Sequence, residues 1–342
     1  MGVCHAVRCV AARFGGKSPT GTERIRLSHV EALAPATSAN LGAGFDVFGV
    51  ALDTLHDKIS VDVVEGDEIR LYVEGKWASS IPTDPDRNTA GVVAKTLLNN
   101  FNRKCGLIIR IEKGIKPGSG LGSSAASAAA TALALNEALG LGLSKTELVK
   151  YAALGEVASA GAPHADNVSS AIMGFFTIVI SSNPIKVVQL PPPKNVEFVI
   201  AIPDVPELNL KTAMARSVIP KKVKLSNAIH NIAYASAFIA GVTLKDVVLM
   251  GEAMKDLIAE PYRASLIPSL KDVKNSAIKA GALGVAISGA GPSILALIDS
   301  RRGVEADVAE AMKEGFERNG IKSEVVIVKP GPGAKIVRRK GL

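Results

Sequence analysis

Aromatic side chains are scarce in this 342-residue chain: nine Phe, four Tyr and one Trp make up 4% of it. Aliphatic residues and alanine must therefore fill the core. Cysteine is almost absent as well. Cys4, Cys9 and Cys105 form no metal-ligand spacing, and such usage indicates a reducing, cytoplasmic setting. No apolar run approaches the roughly 20 residues that span a bilayer, and the start has arginines but no apolar signal core, so no membrane partner is expected. Acidic residues are missing from 329–342, which carry +5, while 1–30 carry +4, so the body between them sums to −1 of the total +8. A basic excess confined to the ends reads as solvated tails and predicts no nucleic-acid partner.

The 47% hydrophobic and 21% charged content is that of a globular protein long enough for two domains sharing a cleft. Residues 1–24 lack periodicity and read as a disordered extension. Pro191-Pro-Pro193 is the clearest break and separates a first domain, 25–190, from a second, 191–330, followed by a basic tail, 331–342. Strands are expected at 30–34, 59–63, 69–73 and 107–111, the middle two by alternation suggesting an antiparallel arrangement. Others are expected at 174–180, 185–190, 196–202, 284–288, 294–298 and 324–328. Helical spacing covers 86–101, 224–240, 243–260, 269–280 and 304–319. Ser144-Lys-Thr-Glu147 is a capping box whose helix should run to about Ala160, placing Glu156 on it. Strands and helices mixed without strict alternation give an α+β class.

Chemistry enters with Pro117-Gly-Ser-Gly-Leu-Gly-Ser-Ser-Ala-Ala126, a Gly/Ser loop feeding an alanine-rich helix. Glycines let backbone amides approach an anion, and the helix behind them turns its N–H groups and positive dipole end to the same point. No Lys-Ser/Thr closes the loop, so it is not a Walker A loop. Lys113-Gly-Ile-Lys-Pro117 separates it from the preceding strand, so it is a poor dinucleotide fingerprint. A structural turn is the competing reading of the loop alone.

Two further segments accompany it: Ala34-Pro-Ala-Thr-Ser-Ala-Asn-Leu-Gly-Ala-Gly-Phe-Asp46 before, and Ser288-Gly-Ala-Gly-Pro-Ser293 after. This ordered set resembles the three motifs of the GHMP small-molecule kinases. Leu154–Asn167, Thr212–Pro220 and Glu260–Pro268 resemble the homoserine kinase family within them. The resemblance implies an N-terminal domain like ribosomal protein S5 domain 2, a ferredoxin-like C-terminal domain, and a site between them. The implied activity is ATP-dependent phosphorylation of the L-homoserine hydroxyl, by enzymes that are commonly homodimers. Another GHMP kinase, of shikimate or mevalonate type, and a catalytically silent relative stay open as alternatives.

Carried onto this chain, the resemblance assigns ATP to Lys116, Pro117, Gly118, Ser119, Gly120, Leu121, Gly122, Ser123, Ser124, Ala125 and Ala126, with Asn88 reading the adenine edge. Ser124 and Glu156 would hold Mg²⁺, which suits hard oxygen ligands. For the amino acid, Arg216 and Arg263 offer forks to the carboxylate, Asp46 pairs the ammonium, and Asn40, His164 and Asn167 add hydrogen bonds. Asn167, Thr212 and Arg216 are the expected catalytic residues. Asn167 stands where mevalonate-type members have an aspartate; it can orient a hydroxyl but cannot take its proton, so no carboxylate base is expected, and the side chain of neighbouring Asp166 should point elsewhere. Lys116-Pro117, Phe175 and Ser269 depart from the pattern, the last two at positions where glycine is common, which puts local backbone detail in doubt.

Overall fold

A computed structural model describes residues 26–156, 165–205, 211–267 and 269–341. The expected extension 1–24 lies outside them, as does His164.

The first sheet has seven strands: β1 (Arg26–Asn40), β2 (Gly44–Val64), β3 (Ile69–Glu74), β4 (Gly106–Glu112), β5 (Phe176–Ser182), β6 (Ile185–Leu190) and β11 (Lys335–Lys340). Their order is β11-β1-β2-β4-β3, with β5 on the early part of β2 and β6 beyond it. The alternation in β2 buries Ile59, Val61 and Val63. The strands expected at 59–63 and 69–73 form and run in opposite directions, but they are not neighbours: β4 lies between them, antiparallel to β2 and parallel to β3. The helix α1 (Thr89–Asn100) is the reason, because a helical crossover returns the chain in the same direction.

Behind this sheet runs α2 (Ser123–Ala138), in which Ala125, Ala126, Ala128, Ala129, Ala130, Ala132 and Ala134 are wholly buried. Only small side chains let one helix pack on β1 and β2 while touching α1, α3 (Lys145–Gly155) and α4 (Ala165–Met173) at once. The capping box forms as expected, but α3 stops at Gly155, so Glu156 is the first residue past its end rather than a mid-helix residue.

The second sheet holds β7 (Val196–Pro203), β8 (Gly284–Ile287), β9 (Ile294–Asp299) and β10 (Ser323–Val328) in the order β10-β7-β9-β8, all neighbours antiparallel. Helices α5 (Lys211–Ser217), α6 (Leu225–Leu244), α7 (Val247–Glu252), α8 (Glu260–Arg263) and α9 (Leu270–Lys279) lie between β7 and β8, and α10 (Glu305–Glu317) between β9 and β10. This β-α-β-β-α-β course is ferredoxin-like. The expected helix over 243–260 is broken. Lys245, at φ +62, ends α6, and the Asp256 carboxylate accepts the amides of Ile258, Ala259 and Glu260, turning the chain before α8.

Four of the nine phenylalanines meet where the halves join. Phe238 of α6 stacks on Phe48 of β2 at 5.6 Å and meets Phe176 of β5 edge-on at 5.8 Å, and Phe176 meets Phe198 of β7 at 6.3 Å. Each pair adds about 0.5–1.5 kcal/mol beyond its buried area, so the few aromatics are spent on the junction. The reading of 331–342 as a solvated tail is corrected as well. β11 pairs with β1, Arg339 with Glu137 of α2 at 3.0 Å and Arg338 with Glu31 of β1 at 3.6 Å, so the segment is an edge strand of the first sheet with acids beside two of its basic side chains.

Phe175 and Ser269, which replace expected glycines, keep a left-handed backbone at φ +56 and +62. The Ser269 hydroxyl is buried with no partner among the described residues. Ser269→Gly is therefore expected to stabilise the protein by about 1 kcal/mol, seen as a raised midpoint in urea.

Candidate active site

The Gly/Ser loop lies between the two sheets. Gly118, Gly120 and Gly122 all have positive φ. A Cβ on Gly120 would lie 2.4 Å from the Ser288 carbonyl oxygen, and one on Gly122 would lie 1.9 Å from the Thr37 hydroxyl. Only glycine fits between these walls. The loop is tied on both flanks: the Thr37 amide donates to the Leu121 carbonyl at 3.0 Å, the Ser293 amide to Ser119 at 3.1 Å, and the Ser288 hydroxyl to Gly120 at 2.9 Å. The 288–293 turn thus closes on the loop. Gly122 starts α2 with no side-chain cap, leaving the helix N-terminus facing the loop.

At that helix start the Ser124 hydroxyl donates to Glu156 Oε2 at 3.0 Å. Burial pushes the Glu156 carboxyl up to about 7; the Ser124 bond opposes this, Asp166 adds to it and Lys113 opposes it. Asp166 is buried and feels Glu156, while its own Oδ1 accepts the Asn167 amide at 2.8 Å. Two hard oxygens beside a phosphate-type loop fit a divalent cation. Among the described residues no group of three or more His, Cys, Asp or Glu gathers, so such an ion would complete its shell with water and phosphate oxygens.

Asn167, on the first turn of α4, accepts from the Thr37 hydroxyl through Oδ1 at 2.8 Å. Its carbonyl end is therefore occupied, and its NH₂ is the end left to face a ligand.

On the opposite side, Asn40 ends β1 and Asp46 lies near the start of β2, flanking the turn between them. Asn40 donates to the Gly289 carbonyl at 2.8 Å and accepts the Asp46 amide at 3.1 Å, so it spends both ends on holding this turn against the β8–β9 loop. Asp46 takes both terminal nitrogens of Arg216, one at 2.9 Å. Arg263 is only 4% exposed and donates to the carbonyls of Ala215 at 3.1 Å and Gly289 at 3.0 Å. Burial, with Arg216 adding repulsion, lowers its pKa. The guanidinium carbons of Arg216 and Arg263 lie 5.2 and 5.1 Å from the Phe45 ring, which presents a π face to both. Asp256, bonded by Asn231 at 2.8 Å, makes the turn that delivers Arg263 here.

The expected residues therefore gather as two groups, the loop with Ser124, Glu156 and Asn167, and the Asp46, Arg216 and Arg263 cluster. Thr212 is on α5 one turn before Arg216, with its side chain outside the described part. Asn88 behaves otherwise: it caps α1 through the Ala90 amide at 2.9 Å and donates to the Pro82 carbonyl at 2.6 Å. An adenine contact from it would have to replace one of these bonds. Lys116 extends towards Asp204 and the Trp77 ring. Sequence reasoning passed over Thr37 and Phe45, although both stand inside the quoted first motif. It also passed over the buried Asp57–Lys113 pair beneath the loop.

Family models for the GHMP kinases N terminal domain and GHMP kinases C terminal match residues 88–175 and 235–318. The chain is similar to homoserine kinase of Methanocella arvoryzae, with 44% identity over 90% of this chain and 96% of that protein. It is also similar to homoserine kinase of Pyrococcus abyssi, with 41% identity over 88% and 97%. A crystal structure of homoserine kinase from Cytophaga hutchinsonii superposes with a TM-score of 0.84 at 35% identity, covering 94% of this chain and all of that one.

Proposed function

The chain belongs to the homoserine kinase family of the GHMP kinases, and from that premise we propose that it transfers the terminal phosphoryl group of ATP to the side-chain hydroxyl of L-homoserine. The product, O-phospho-L-homoserine, feeds threonine synthesis. The observation that carries the reading is the charge cluster across from the glycine loop. Asp46 and Arg216 satisfy each other in the free protein, and a zwitterionic amino acid replaces that pair in kind: its ammonium takes Asp46, and its carboxylate takes Arg216 with Arg263. A shikimate or mevalonate acceptor has no ammonium for Asp46.

Phosphoryl transfer leaves the protein little covalent work, so positioning and charge neutralisation carry the rate. The amides of the loop and the N-terminus of α2 cradle the phosphates. Ser124 and Glu156 would hold Mg²⁺, which would supply neutralisation of phosphate charge. Asn167, fixed by Thr37, donates its NH₂ towards the acceptor hydroxyl or transferring phosphate and takes no proton. The hydroxyl proton passes to a phosphate oxygen as the P–O bond forms. Thr37→Val, which frees Asn167 to rotate, is expected to lower kcat about tenfold with the homoserine KM nearly unchanged. Asn167→Ala with full turnover, beside an inactive Asp166→Asn, would contradict this mechanism.

Release of ADP with homoserine, other hydroxy amino acids, shikimate and mevalonate tests the assignment. Turnover is expected with homoserine, and its absence there would overturn the reading. A cytoplasmic homodimer fits the same picture. The 20 residues of α6 carry no Asp, Glu, Lys or Arg, yet Leu225, Ile229 and Ile232 are exposed along it. A monomer mass by light scattering at working concentration would remove that part. Among the described residues no helix is long and apolar enough to cross a membrane.

A further inference from the structure

Beneath the glycine loop lies a buried ion pair whose one part in the site so far is the charge of Lys113 acting on Glu156. The β2–β4 register opposes Lys58 to Glu112, which brings Asp57 opposite Lys113 just past the strand end. Both are buried, Asp57 completely and Lys113 at 4% exposure. Their contacts run in two directions. Asp57 Oδ1 accepts the amides of Gly114 at 3.1 Å and Ile115 at 3.2 Å, where the chain enters the loop. Lys113 Nζ donates to Asp57 Oδ2, to the Ser123 carbonyl at 2.9 Å and to the Ser127 hydroxyl at 3.0 Å, where the chain leaves the loop into α2. Ser127 in turn donates to Asp57 at 2.8 Å, and the Ser123 hydroxyl donates to the Ile115 carbonyl at 3.0 Å, closing the network.

Fold stability alone gives little reason for this arrangement. A buried ion pair is commonly matched by apolar residues of the same volume, and a cation near a helix N-terminus opposes the helix dipole. What apolar residues cannot do is bond the entry amides and the exit carbonyl at once. The span 116–122 is thereby a closed arch with both feet fixed to one point. The loop glycines, free in φ, need an outside constraint of this kind to hold their amides in a single direction.

We infer that Asp57 and Lys113 are positioning residues for ATP, acting through the loop rather than on substrate. The inference rests on the kinase reading above. Neither residue touches the Asp46, Arg216 and Arg263 cluster, so their loss should separate the two substrates. In Lys113→Met, and in the charge-balanced Asp57→Asn/Lys113→Met, the KM for ATP is expected to rise at least tenfold, while the KM for homoserine stays within about twofold. The paired variant leaves no buried unpaired charge, so its melting temperature separates folding from positioning. Ser127→Ala, which removes one hydroxyl of the network, is the milder arm and should raise the ATP KM about threefold. A wild-type ATP KM in a folded paired variant, or a fall in kcat with both KM values unchanged, would show the pair to be structural only and overturn the inference. Absence of homoserine phosphorylation by the wild-type enzyme would instead defeat the kinase reading, so the two failures are told apart.

Discussion

Arg263→Met is expected to reduce kcat/KM for homoserine by roughly 10²–10³-fold while leaving the KM for ATP within about twofold. The size follows from burial. A guanidinium that is nearly excluded from water, held by two backbone carbonyls and set against an aromatic ring loses little entropy on meeting a carboxylate and faces little competing water. Removing it also takes the guanidinium donor from the buried Ala215 carbonyl, while the Gly289 carbonyl keeps the Asn40 amide, and the loss costs about 1–3 kcal/mol of stability. Arg263→Lys should recover only part of either loss, since one ammonium cannot match two fixed carbonyls and a bidentate carboxylate together. Steady-state kinetics with each substrate varied in turn, beside a denaturant melt, reads both effects. An unchanged homoserine KM in a folded variant would remove Arg263 from the substrate site.

Glu156→Gln should be the most damaging substitution for turnover, lowering kcat on the order of 10³-fold, and yet it should stabilise the metal-free protein. The opposition comes from one cause. Burial raises the Glu156 pKa from 4.5 to about 7 in the folded protein. Between those values the native state keeps a proton that the unfolded chain has released, so stability falls as pH rises through this window and the loss is complete above about 7. The shift corresponds to roughly 3 kcal/mol, which Gln does not lose because it never ionises. Denaturation of metal-free wild type and variant from pH 4.5 to 8 should therefore give curves that meet at the acid end and separate above it, with the variant more stable. Parallel curves across that range would contradict the assigned environment. The same desolvated carboxylate is what a bound divalent cation would neutralise, which is why a site of this kind is less stable when empty.

Much of the fold was legible because burial leaves a periodic trace. The alternation in β2, the apolar run 198–202 of β7, the capping box of α3 and the alanine run of α2 each announce their element. The failures share a feature. The basic segment 335–340 reads as a solvated tail until β1 pairs with it and Glu31 and Glu137 stand beside its arginines, and 243–260 reads as one helix until Asp256 collects three amides and bends it. In both cases the deciding partner is remote in sequence or acts through the backbone, where periodicity carries no signal.

For the site, the chain by itself determined which chemical groups are present: a glycine loop able to bare its amides, a serine and a glutamate as hard ligands, an asparagine in place of a base, and two arginines with an aspartate. Those follow from residue type and local spacing, which the sequence contains in full. Tertiary structure alone decided how they are tuned and held. It engaged Asn40 and Asn88 within the protein, paired Asp46 with Arg216, turned the Asn167 amide with Thr37, raised the Glu156 carboxyl by burial, and set Asp57 and Lys113 under the loop. Desolvation and hydrogen-bond direction depend on which distant atoms fill the space around a group, and only the packed chain specifies that.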